Sequence, residues 1–316
     1  MTITVLGHLC IDEIHTPRNV ENESSSTKDF GGIYFSLVTL ASMMKPGDVI
    51  YPVFGVGDLE YDEFKKKLEA YPAIDASGIF KFKGNTNHVH YFPEKDRNGR
   101  FECSKNISDP IPFNKIKPFL DTHGILVNMV SGFDITLETM DAIRMNVRDA
   151  RTPIHFDFHS LTLGIDQDFK RFRRPMTDWR RWCFMLNSIQ MTEEEAAGLT
   201  AEHYDEPTLV NQLMPLMVNT LVITRGERGA TAIIQENKKL THHEIAGTSF
   251  GPTIDPLGCG DVFGAAFFCR YLQQKNYRDA AEYANQFAGM KCTLNGTADI
   301  PTIVEKLKSV PVTHEP

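Results

Sequence analysis

Short apolar runs and amphipathic stretches alternate along most of this chain, and their order predicts a βα rhythm. Thr2–Gly7 and Val49–Phe54 read as strands, each closing on glycine-containing turns. Gly124–Met129 is apolar almost without interruption, as expected for a parallel strand covered on both faces. Ile154–Phe158, Trp182–Asn187, Leu221–Thr224 and Ala230–Gln235 read as further strands. Between them the spacing predicts helices over 34–44, 60–69, 137–150, 192–199, 261–274 and 278–293. Only one region breaks the rhythm. From Ile79 to Glu102 aromatic and β-branched residues alternate with polar ones around Gly84-Asn85 and Asn98-Gly99, a hairpin signal. Residues 15–29 are polar, with a serine run, and are expected to be mobile. Alternating strands and helices over some 300 residues, with no repeat and no linker, predict one α/β domain with a mainly parallel sheet and helices on both faces.

Composition narrows the function classes. A hydrophobic fraction of 41% with 23% charged residues is ordinary for a soluble globular chain, and the net charge of −8 offers no footprint for nucleic acid. No apolar run approaches a membrane span, and Met1 leads directly into a strand, so a cytoplasmic protein without membrane or nucleic-acid partners is expected. Six scattered cysteines without a Cys-x-x-Cys pair read as reduced thiols.

The candidate chemistry centres on Ile254–Asp261, which runs into the apolar helix beginning at Val262. Gly258 and Gly260 allow close backbone approach, and a helix N-terminus with bare N–H groups attracts an anion. A carboxylate at that point, Asp261, makes sense as a base that takes a proton from a hydroxyl while amides face a phosphoryl group in flight.

Asp255-Pro256-Leu257-Gly258-Cys259-Gly260-Asp261 resembles the Asp-Thr-x-Gly-Ala-Gly-Asp signature of the ribokinase-like (PfkB-type) carbohydrate kinases, with Pro256 and Cys259 as departures. Thr224-Arg225-Gly226-Glu227-Arg228-Gly229 resembles the family's Thr-x-Gly-x-x-Gly nucleotide loop, and Thr192–Glu195 falls where the family has Asn-x-x-Glu. The opening is similar too: a strand, Asp12, then Gly31-Gly32 before a helix, with Ser36 where an Asn is common. Val56-Gly57-Asp58 matches a further family step and sets Asp58 or Asp62 near the site's edge.

The resemblance implies a ribokinase-like three-layer fold over residues 1–316, with a small β lid from segments about 11–32 and 79–112. It implies transfer of the ATP γ-phosphoryl group to a hydroxyl of a small sugar or sugar-like acceptor. Asp261 would be the base, with the Gly258, Cys259 and Gly260 amides holding the developing charge. Thr224, Gly226, Gly229 and Asp255 would bind the nucleotide. Asp12, Gly31, Gly32 and Ser36 would position the acceptor, with Thr86, His88 or His90 reaching it from the lid. Glu195 would serve Mg2+, and the family pattern leaves room for a monovalent cation. A nucleoside kinase, with Tyr34, Phe35 and Tyr91 stacking a base, and a non-catalytic sugar- or nucleotide-binding relative are the alternatives. Exposed lid strands could pair in a homodimer.

Several features carry second readings. Thr192 and Glu195 also fit a helix capping box. Many family members carry Asp-Pro-Asn-x-Arg where Asp157-Phe158-His159-Ser160-Leu161 stands, so the usual arginine is lost. Five arginines between 171 and 181 follow, and Arg174 is the expected substitute clamp, against a solvated basic surface. Arg225 either supports phosphates or makes a salt bridge. His88-x-His90 points two rings to one face, as a metal site would use, but the sequence offers no apparent third ligand. Cys259 either replaces a small residue or has a thiol acidified by the helix start. Gly247–Gly251 satisfies Gly-x-Ser-x-Gly, yet Pro252 follows where a hydrolase elbow needs a helix.

Overall fold

The computed structural model describes residues 1–15, 26–93, 100–237 and 239–309. A nine-stranded sheet runs in the order Lys239–Ala246, Gly229–Glu236, Thr220–Thr224, Ser188–Thr192, Ile154–Asp157, Gly124–Asn128, Thr2–Leu6, Val49–Gly57, Ile79–Phe82. All neighbours are parallel from Thr220–Thr224 to Ile79–Phe82, and the two remaining strands turn back as antiparallel hairpins. Gly124–Asn128 is buried at every position, which explains its unbroken apolar sequence. Helices Ile33–Met43, Cys259–Gln274 and Tyr277–Lys291 pack together beside the sheet, the second of them with ten buried residues. Among the described residues no helix is long and apolar enough to cross a membrane.

A separate four-stranded sheet, Ser26–Gly32, Leu9–His15, Asn87–Pro93 and Arg100–Lys105, forms the lid. Its register sets Asp12 beside Val89 and Glu13 beside His90. One face therefore carries Cys10, Asp12, Val89, Tyr91, Glu102 and Ser104, and the other carries Glu13, His15, His88 and His90.

Four expectations need correction. Ile79–Phe82 is not a lid strand but the outer strand of the central sheet, paired in parallel with Phe54–Gly57. Residues 26–29, expected to be mobile, lie in a strand; positions 16–25, and the Asn98-Gly99 turn, fall outside the described residues. Trp182–Asn187 is not a strand either. Trp179–Cys183 is a short helix, and the strand is Ser188–Thr192. A brief apolar run does not distinguish the two, and the true strand was obscured by Ser188 and Gln190, which are buried polar residues with internal partners. The strand Lys239–Ala246 was missed because it is an exposed sheet edge whose Lys and His residues leave no apolar stripe.

Candidate functional site

Two cavities meet at the start of helix Cys259–Gln274. The larger, about 720 Å³, is lined by Thr192, Thr224, Gly226 and Gly229 at the carboxyl end of the sheet and by Cys259, Gly260 and Cys292 from the helices. The smaller, about 80 Å³, lies under the lid between Asp12, Gly32, Phe35, Tyr91, His159 and Asp261. Residues 259 and 260 thus face one cavity and residues 258 and 261 the other.

Asp261 is buried in the first helical turn and accepts a 2.6 Å hydrogen bond from Asn128 Nδ2. Burial raises its pKa above the usual carboxylate range; His159, whose Nε2 lies 4.0 Å from Oδ1, and the Asn128 bond pull the other way. His159 responds in kind. Burial would lower its pKa, but Asp261, Asp157 and Glu195 together push it up to about 9, which favours the protonated ring. The Cys259 N–H is already given to the Pro256 carbonyl at 3.2 Å, whereas the Gly258 and Gly260 amides have no backbone acceptor among the described residues. Cys259 is therefore set aside as an anion-facing amide.

Asp12 is buried beneath the lid, and burial, with Asp261 and Glu102 nearby, raises its pKa to about 7 despite a hydrogen bond from the Cys10 thiol. Gly31 is the reason it fits. A Cβ at Gly31 would lie 1.7 Å from the Asp12 carboxylate, so any side chain there would evict it. Gly32 lines the same cavity as the N-cap of helix Ile33–Met43. Ser36 does not line it; its hydroxyl donates to the Asp261 carbonyl at 3.3 Å and ties two helices together.

At the larger cavity, Thr224 ends its strand with its hydroxyl 3.5 Å from the Met191 carbonyl. Gly229 has φ +93°, and a Cβ there would lie 2.0 Å from the Ile245 carbonyl oxygen. Asp255, expected beside the nucleotide, is occupied internally. Its carboxylate accepts from Leu257 N, Gly296 N and the fully buried Lys291 ammonium, and the same ammonium donates to the Asp255 and Leu257 carbonyls. That pair holds the 255–258 turn rather than facing the cavity.

Glu195 completes the capping box with Thr192, and its carboxylate accepts from Thr192 N at 2.8 Å. Burial raises its pKa, as it does those of Asp157 and Asp261, and Glu195 and Asp261 both raise that of Asp157. Three buried carboxyl groups around the His159 ring supply oxygen donors that burial alone leaves poorly compensated when ionised. An oxygen-preferring, hydrated Mg2+ fits that donor set.

Other expected contacts fall elsewhere. Thr86 is committed to Glu60 and Gly57, and His88 and His90 lie on the lid face opposite Val89 and Tyr91. Asp58 accepts from Gly84 N, and Asp62 is exposed beside Lys81. Arg225 pairs with Glu193 and Glu206, the salt-bridge alternative. Arg174 is an exposed donor to the Leu163 carbonyl; the arginine that reaches the smaller cavity is Arg171, held by Ser104 and the Ser131 carbonyl, its Nη1 without a partner among the described residues. Tyr34 is buried against Phe30 and Phe64, while Phe35 and Tyr91 do line the smaller cavity. The Cys259 and Cys292 thiols touch, and hydrogen bonding between them holds Cys292 below and Cys259 above an ordinary thiol, the reverse of acidification at the helix start. Among the described residues no disulfide is present.

Sequence reasoning missed Asn128, Gln190 and Lys291, and passed over His159 as a mere departure. Gln190 Nε2 bridges Asp157 Oδ2 and the Gly260 carbonyl at 3.1 and 3.0 Å, joining a strand end to the helix start. For Asn128 and Gln190 the available signal was a polar residue ending or interrupting an apolar strand; Lys291, on a helix, and His159, in a turn, gave no such signal.

Residues 176–303 match the model of the pfkB family carbohydrate kinases. A 99-residue stretch is 31% identical to a 2-dehydro-3-deoxygalactonokinase of Haloferax volcanii, spanning 31% of this chain and only 30% of that relative. Over nearly the full length, the fold is similar to that of Arabidopsis thaliana ribokinase complexed with ribose and ATP (TM-score 0.73, 17% identity, 98% and 99% of the two chains). It is also similar to that of Burkholderia thailandensis nucleoside kinase in complex with inosine (TM-score 0.70, 17% identity, 98% and 100%). The resemblance read from the sequence and the ribokinase-like α/β fold both hold.

Proposed function

We propose that this protein transfers the γ-phosphoryl group of ATP to a hydroxyl of a small sugar or sugar-like acceptor, with Asp261 as base. One observation carries the reading: Asp261 and the adjoining Gly260 stand at the junction of the two cavities, so a donor in one and an acceptor in the other would meet there. Asp261 removes the proton from the acceptor hydroxyl as its oxygen attacks the terminal phosphorus and the bond to the departing ADP breaks. Its raised pKa makes it a stronger base than an exposed aspartate. The Gly258 and Gly260 amides and the His159 cation face the charge that develops, and positioning with electrostatics does the rest. Thr224, Gly226 and Gly229 form the nucleotide wall; Asp12, Gly31 and Gly32 form the acceptor wall. Bound Mg2+ would supply charge neutralisation at the phosphates, held through water by Glu195 and Asp157. The fold match to an ATP-bound ribokinase supports ATP as donor.

The polar lining of the acceptor cavity, Asp12, Glu102, Ser104, His159 and Arg171, favours a hydroxyl-rich sugar over a nucleoside. Arg171 and His159 on its wall make a sugar acid a good first acceptor, in keeping with the name of the Haloferax relative. The test is ATP consumption by the wild type and Asp261→Asn against sugars, sugar acids including 2-dehydro-3-deoxygalactonate, and nucleosides. Turnover on one acceptor, reduced about 10³-fold in the variant, is expected for loss of a positioned base. Failure to bind ATP would sink the proposal, and turnover on nucleosides alone would replace it with the rival acceptor.

A further inference from the structure

The outer face of the lid holds a second constellation that phosphoryl transfer does not use. Glu13 and His15 lie on strand Leu9–His15, and His88 and His90 on the adjacent parallel strand, all four side chains on the face turned away from Asp12 and Tyr91. One ligand atom each from Glu13, His88 and His90 falls within a 4.8 Å group. His15 approaches as well: its Nε2 is 3.1 Å from His90 Nδ1 and 3.9 Å from Glu13 Oε1, and His90 Nδ1 is 3.6 Å from Glu13 Oε2. Zn2+ bonds of about 2.0–2.1 Å at tetrahedral angles put neighbouring ligand atoms roughly 3.4 Å apart. The His90–Glu13 separation of 3.6 Å lies close to that edge, and His88 offers a ligand atom within 4.8 Å of both.

We propose that Glu13, His88 and His90, with His15 at their edge, form a binding site for a divalent transition cation of the Zn2+ class, closing the two central lid strands from outside. The ligand chemistry suits such an ion, since imidazole nitrogens with one carboxylate select Zn2+ over Mg2+ or Ca2+. Position suits it too. Glu13 and His15 are only 11% and 23% exposed, and Phe92 stacks flat on His15 at 4.3 Å, fixing the ring. A ring-to-ring hydrogen bond accounts for the His15–His90 contact but not for the convergence of Glu13 and His88 upon it. Ser26 and Lys28 compete for the Glu13 carboxylate; the Lys28 ammonium, 3.0 Å from Oε2, is 56% exposed and free to swing away. The bound ion would pin the strand that presents Asp12 to the strand that presents Tyr91.

The test is a Co2+ titration of the chelator-treated full chain, followed by visible absorption, then displacement by Zn2+. One equivalent with the absorption of a tetrahedral ion is expected. His88→Ala, His90→Ala and Glu13→Gln should each weaken binding about tenfold or more, a loss typical of damage to a metal site. Lys28→Ala should tighten it, a gain that a misfolded variant could not produce. Binding of no Co2+ by the wild type, or equal binding by the wild type and the His88→Ala/His90→Ala double variant, would overturn the proposal. The readout is independent of any phosphoryl transfer.

Discussion

The sheet has a cavity at each end, and the two are nearly equal in size. The one at the carboxyl ends of the strands measures about 720 Å³ and the one at the amino ends about 710 Å³, the latter lined by Arg144, Arg148, Asn187 and Asn219 among others. Volume does not tell them apart. What differs is whether the polar groups are balanced. At the amino end, Arg144 donates to the Trp182 and Phe184 carbonyls and to Asp141, and Asn187 accepts from Ile154 N while donating to Asn219. At the carboxyl end, three buried carboxyl groups crowd the His159 ring, Asn128 Oδ1 has no partner among the described residues, and Gly229 and Gly258 hold left-handed backbone shapes. Apart from Thr220 Oγ1, buried without a partner among the described residues, the amino end is paired internally; the carboxyl end leaves more unmet, as a site awaiting a ligand would.

The sharpest way to break this comparison is to exchange activity against stability at the two ends. Arg144→Met should cost roughly 2–4 kcal/mol by stranding buried carbonyls, yet leave kcat/KM within about twofold. Asp261→Asn, already expected to cut turnover about 10³-fold, should instead leave the fold as stable or stabilise it by about 1 kcal/mol at pH 7, because a buried carboxylate with a raised pKa opposes folding when ionised. Chemical denaturation read beside kinetics decides the matter. Equal activity losses for the two variants would erase the distinction.

A smaller effect sharpens the nucleotide wall. Gly226→Ala meets no atom within 4 Å and should cost only about 1 kcal/mol for its left-handed φ. Gly229→Ala must push against the Ile245 carbonyl and should cost at least about 2 kcal/mol more, read as a lower melting temperature.

The smallest effect is a shift in pH dependence. Activity should rise with pH as Asp261 loses its proton, with the acid limb above the ordinary aspartate range. His159 holds that pKa down, so His159→Gln should move the limb to higher pH; a limb that stays put would remove His159 from the electrostatics of the base.

The comparison also explains what could be read from sequence. The strand–helix rhythm and the Gly258–Asp261 turn were legible because each is local: a strand announces itself by apolar runs, a helix start by glycine and acid. Arg171 could not be separated from Arg174, because only the return of strand Arg171–Arg173 against Leu163–Ile165 decides which guanidinium turns inward. Asp255 looked like a ligand residue because Lys291, its partner, lies 36 positions away on another helix. Asn128 and Gln190 disappeared into their strands, since a single amide changes an apolar pattern very little. His88-x-His90 showed two ligands but not Glu13, which pairing with a strand some 75 residues earlier supplies.

Strand Ser26–Gly32 of the lid passes into helix Ile33–Met43 without a loop, and that helix touches the backbone of Asp261 through Ser36. The sheet that carries Asp12 is therefore coupled through one continuous segment to the backbone of Asp261. Under the proposed reaction, seating the acceptor and steadying the carboxylate would be one event instead of two. Such coupling would leave little ATP hydrolysed when no acceptor is present.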